Sequence, residues 1–134
     1  MCFAVYIACS TEIEECAWNK SAPAFYVESV SDGEKVRAQF SLPFVYYAGS
    51  QKGCGCGFLK DGEIGEDLIA CQLNYRRLAE CASEALSNGA KIEIFSCWEG
   101  DQVEPVELAQ TLSAHQLDRP EFEFQEKHFM KVTS

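Results

Sequence analysis

Apolar and polar positions divide the 134-residue chain into short apolar runs set around one long amphipathic stretch. The run Met1-Cys2-Phe3-Ala4-Val5-Tyr6-Ile7-Ala8-Cys9 is continuous and uncharged, which predicts a buried first strand. Thr11-Glu12-Ile13-Glu14 has capping-box spacing and predicts a short helical turn over 12–16. Phe25 to Val30 is rich in aromatic and β-branched residues and predicts a strand that Asp32-Gly33 ends. Val36 and Phe40 lie four apart, as in one or two helical turns. Phe44-Val45-Tyr46-Tyr47 follows Pro43 as a buried strand, and the Gly49–Gly53 turn leads to a return segment over 54–59, a hairpin.

Helical periodicity is clearest over 64–88. Leu68, Cys71, Gln72, Tyr75, Leu78, Ala79, Ala82, Ala85 and Leu86 form one stripe, and Asn88-Gly89 is a C-terminal stop. Ala90 to Cys97 predicts a strong strand and residues 106–112 a weaker one. Ser113 is placed to cap a short turn before Arg119-Pro120. Glu121-Phe122-Glu123-Phe124 alternates like a strand with one wet face, and the phase slips before Phe129, which predicts a bulge. Strands before and after one long helix do not make the repeated βαβ order of a doubly wound sheet. The expected architecture is α+β: one domain over 1–134, with a mostly antiparallel sheet and the long helix on one face.

Composition narrows the function classes. The formal charge of −10 opposes binding to a phosphate backbone, which needs Lys and Arg, so no nucleic-acid partner is expected. No apolar run approaches the roughly 20 residues that span a bilayer, and no membrane partner is expected. The N-terminal run is too short and lacks the basic start of a signal peptide, which points to the cytoplasm. In that reducing compartment the eight cysteines are expected to be mostly small apolar fillers rather than a disulfide framework.

One segment is less generic. Gly53-Cys54-Gly55-Cys56-Gly57-Phe58 reads in two ways. As a strand it puts Cys54, Cys56 and Phe58 on one face; as a loop it lets backbone curl around a ligand. An extended C-x-C pair sits near the upper Cα limit for a disulfide, whereas a tight turn at Gly55 permits one. Two thiolates can share a soft ion, zinc or cuprous copper, but a structural zinc site takes four ligands. Cys9 and Cys97 each end a predicted strand, so the candidate metal ligands are Cys54, Cys56, Cys97 and Cys9, with an exogenous ligand as another way to complete the shell. Neither His115 nor His128 has ligand spacing to another residue. Packing of the two thiols is the plainer reading, and redox work would require a thiol pKa depressed by a cation or a helix N-terminus. Lys52 and Lys60 are the local cations, opposed by Asp61 and Glu63.

Other segments carry less. Lys52 precedes the second glycine of Gly49–Gly53 and no Ser or Thr follows it, so this is no phosphate loop. Cys97-Trp98-Glu99-Gly100-Asp101 reads first as a solvated acidic turn with Trp98 covering the core edge, and second as a pocket wall. No catalytic set is assignable. The leading class is therefore a binding or self-associating protein, its partner a second copy or another protein, with Tyr46, Tyr47 and Trp98 as interface anchors. Thiolate metal binding, with zinc as the first cofactor candidate, is the alternative, and thiol redox work comes third.

Tyr46-Tyr47-Ala48-Gly49-Ser50, Gly53 to Phe58, and Phe95-Ser96-Cys97-Trp98-Glu99-Gly100-Asp101-Gln102 together resemble a family of small uncharacterised bacterial proteins. The resemblance covers most of the chain and implies a bacterial cytosolic protein. It implies no activity and lends no catalytic residue.

Overall fold

The computed structural model describes residues 2–134. Met1, which opens the first predicted strand, lies outside them. Six strands form one sheet: β1 (Phe3–Cys9), β2 (Tyr26–Ser29), β3 (Phe44–Gly49), β4 (Ile92–Trp98), β5 (Leu108–Ser113) and β6 (His128–Thr133), in the order β2-β3-β1-β4-β6-β5. All neighbours are antiparallel except β5 and β6. One long helix, α1 (Gly65–Ser87), covers one face, so the fold is α+β.

Both faces of β1 are buried, which is why its sequence is apolar without alternation. Phe3, Val5, Ile7 and Cys9 face α1. Ala4, Tyr6 and Ala8 belong to a second cluster on the other face with Val36, Val45, Phe95 and Cys97. The 3₁₀ turn Lys35–Gln39 supplies Val36 there, in place of the expected helical turns.

Helix α1 begins with Glu66 and Asp67 in its first turn, where carboxylates favour the dipole. It ends in a Schellman motif at the Asn88-Gly89 stop: the Gly89 N–H donates to Leu86 O and the Ala90 N–H to Ala85 O, both at 3.0 Å. The buried face comprises Cys71, Asn74, Tyr75, Leu78, Ala79 and Ala82. Leu68, expected in the stripe, is exposed, as are its neighbours Glu66, Asp67 and Ile69 in the first turns of the helix. The cap at Ser113 forms as expected, with the 3₁₀ turn Ala114–Asp118 behind it.

Four local expectations are corrected. Residues 12–16 form no helical turn; Cys16 instead bridges to Val27, and the Ile13 N–H donates to the Tyr46 hydroxyl at 2.7 Å. These partners outcompete the capping box. Residues 54–59 do not return as a strand but include a 3₁₀ turn, Gly55–Phe58. Residues 121–124 form no strand either. Phe122 and Phe124 both pack on Tyr75, with ring centroids 5.7 and 5.2 Å away, so the alternation there serves an aromatic cluster rather than two sheet faces. The phase slip is a turn through Lys127, at φ 48°, not a bulge.

A three-thiol candidate metal centre

Strand β3 ends at Gly49, and its pairing with β1 runs from Val5 to Cys9. The start of β1 is therefore left for the next segment, and the 50–58 loop curls onto it. Ser50 is fully buried and holds the loop closed. Its hydroxyl donates to Cys54 O at 2.6 Å and accepts from the Gly57 N–H at 3.0 Å. The Tyr26 hydroxyl donates to Gly53 O at 2.7 Å, and the Tyr47 hydroxyl accepts from the Gly55 N–H at 3.2 Å. From α1, the buried Asn74 amide donates to Gly57 O at 3.0 Å.

Two glycines are there because the backbone comes too close for a side chain. A Cβ on Gly55 would lie 2.6 Å from Phe3 O, and one on Gly57 would lie 2.1 Å from Ser50 Oγ. The loop thus lies directly against β1 and against its own hinge.

This geometry gathers sulfur. The Sγ atoms of Cys2, Cys54 and Cys56 all lie within 4.8 Å of one another. Cys2 precedes β1, and its carbonyl accepts from the Glu99 N–H at 2.8 Å. Cys54 caps the 3₁₀ turn, its sulfur accepting from the Cys56 N–H at 3.4 Å. Cys56 sulfur accepts from the Phe3 N–H at 3.3 Å. Two backbone donors thus face the cluster, which favours negative sulfur. Burial pulls the other way, and with the neighbouring thiols of Cys56 and Cys2 it pushes the Cys54 thiol up to about 12.

The structure brings together two of the four ligands expected from sequence. Cys9 and Cys97 are not members of the cluster. Cys9 ends β1 whereas Cys2 lies just before its start, roughly 23 Å away at a strand rise of about 3.3 Å per residue. Cys97 pairs opposite Ala4 and faces the other side of the sheet, fully buried. Burial, with Glu99 and Asp101 nearby, pushes its thiol up to about 12. Cys2 is the member of the thiol cluster that sequence reasoning missed. It has no spacing relation to the C-x-C pair; the available signal was its place at the start of an apolar strand.

All eight cysteines are unpaired, but only Cys9, Cys71 and Cys97 are buried as core fillers, fewer than expected, since Cys2 and Cys16 are exposed and Cys54, Cys56 and Cys81 half-buried. Of the three suggested interface anchors, Tyr46 is buried, while Tyr47 and Trp98 are half-buried, Trp98 edge-on to Phe3 at 5.2 Å. The Glu99 carboxylate accepts from the Gln102 amide at 2.7 Å, so the acidic turn is largely self-contained. No helix among the described residues is long and apolar enough to cross a membrane. No family model, curated protein or solved structure matches the chain.

Proposed function

We propose that the chain binds a soft metal ion, zinc or cuprous copper, through the thiolates of Cys2, Cys54 and Cys56. The observation that supports this reading is the convergence of three sulfurs, from two segments far apart in sequence, to within 4.8 Å of one another. Zinc–sulfur bonds of about 2.3 Å at tetrahedral angles put sulfurs about 3.8 Å apart, so the shift needed on binding is small. The ion would displace the thiol protons, and affinity rises with pH accordingly. A reducing, cytoplasmic setting fits eight unpaired thiols. The redox reading is weaker, because the Cys54 thiol is raised rather than lowered.

Metal analysis of protein purified without an affinity tag tests the proposal. One equivalent of a soft metal is expected, lost in Cys54→Ser and Cys56→Ser variants. Substoichiometric metal that those variants leave unchanged overturns it.

A second reading, self-association, has its own support in α1. Leu68, Ile69 and Leu73 are exposed on the helix, and Ile64 just before it is 81% exposed. Light scattering across a concentration series, with Leu73→Lys as comparison, tests it: a strict monomer at every concentration removes it.

A further inference from the structure

Given the thiolate site just proposed, we infer that the ion it takes is cuprous copper, and that the ion leaves by exchange with an exogenous thiol on the Cys2 side. The donor set is all sulfur and numbers three. Among the described residues no fourth Cys, and no His, Asp or Glu, joins the same 4.8 Å group. Structural zinc sites are closed by four ligands, often with imidazole among them. Cuprous copper has a filled d shell and a single charge; it favours soft donors and is satisfied by two or three thiolates.

The surroundings agree. The groups facing the sulfurs are backbone N–H donors from Phe3 and Cys56, which are not ligands. The nearby phenol oxygens of Tyr26 and Tyr47 are already bonded to Gly53 O and the Gly55 N–H. Among the described residues no carboxylate oxygen joins the three sulfurs.

The three thiols differ in access. Cys2 is exposed, while Cys54 and Cys56 are half-buried in a loop anchored by Ser50, Asn74 and two tyrosines. Approach is therefore open beside Cys2. An incoming small thiol, of the glutathione class, loses its proton and forms a copper–sulfur bond. The bond to Cys2 breaks, and the thiolate released there takes up a proton. Copper stays cuprous and no electron changes hands. Repetition at Cys54 and Cys56 completes the transfer.

The experiment uses the full chain under anaerobic conditions. It is titrated with cuprous ion against bicinchoninate and with zinc against a zinc indicator. Copper is expected to bind at one equivalent and more tightly than zinc by at least about tenfold, and X-ray absorption to report a sulfur-only shell. Loaded protein mixed with glutathione should lose copper at a rate that rises with glutathione concentration. Cys2→Ser changes an exposed position and so spares the core. It should lower cuprous affinity by about tenfold or more and leave a two-sulfur shell. Tighter zinc, or nitrogen or oxygen in the copper shell, overturns the copper assignment and leaves a thiolate site standing. A loss rate independent of glutathione, or Cys2→Ser without effect, overturns the exchange route. Retention of neither ion above the level of the Cys54→Ser/Cys56→Ser double variant removes the thiolate site itself.

Discussion

His128 shows how one side chain ties stability to pH. It is almost fully buried at the start of β6, where the neutral ring satisfies both nitrogens. Nδ1 accepts from the Gln125 N–H at 3.2 Å, and Nε2 pairs with Gln110 Oε1. Protonating Nδ1 would point one N–H at another. Burial lowers the pKa from 6.5 to about 4. The unfolded chain therefore binds the extra proton between these values, and stability falls as pH drops from about 6.5 to about 4, by an amount on the order of 3 kcal/mol. Urea unfolding across that range should show the slope, and His128→Gln should flatten it. Close approach sets a second residue-scale expectation. Gly55→Ala forces a Cβ against Phe3 O, a backbone atom that cannot step aside. It should cost about 1–3 kcal/mol and abolish stoichiometric metal retention. Gly33→Ala, with nothing within 4 Å of the added atom, is the control and should unfold at or slightly above the wild-type midpoint.

At the scale of elements, α1 is held by its apolar stripe and also by polar side chains reaching from it to loops. The Tyr75 hydroxyl donates to Phe58 O and accepts from the Phe124 N–H at 3.1 Å, so one atom ties the helix to the thiol loop and to the segment before β6. Tyr75→Phe leaves a buried N–H and a buried carbonyl without that partner. It should lower stability by about 1–3 kcal/mol in chemical denaturation while preserving far-ultraviolet circular dichroism. These ties explain what was legible in the sequence. The periodicity of α1, the Asn88-Gly89 stop and the unbroken apolar β1 are local signals, and each was readable. The 3₁₀ turn at Gly55–Phe58 and the loop at 121–124 were not. Their backbone donors and acceptors go to Ser50, Tyr47 and Tyr75, partners that no local pattern names. The thiol pair was readable as unusual, but its third member was not. Cys2 meets Cys54 and Cys56 through the end of a strand, whereas strand-end reasoning chose Cys9 and Cys97, at the far end of β1 and on the far face of the sheet.

For the whole molecule, the sheet distributes risk unevenly between its two edges. β2 is covered by the Cys16 bridge, while β5 carries Leu108-Ala109-Gln110-Thr111-Leu112-Ser113, with no charge or proline to discourage pairing. Thr111→Lys on this edge should reduce aggregation during refolding, measured by turbidity, without changing the unfolding free energy by more than about 0.5 kcal/mol. The central strand has a different exposure. Its first residues are fastened on one side by β4 and on the other by the sulfur of Cys56. An ion shared by Cys2 and Cys54, as proposed, would close a loop of about fifty residues in the unfolded chain, and the lost freedom of such a loop is on the order of 4 kcal/mol. Filling the proposed site would therefore act on the fold as a removable cross-link: a loaded protein should melt several degrees above a stripped one, and a chelator should work on it as a reductant works on a disulfide-bonded domain.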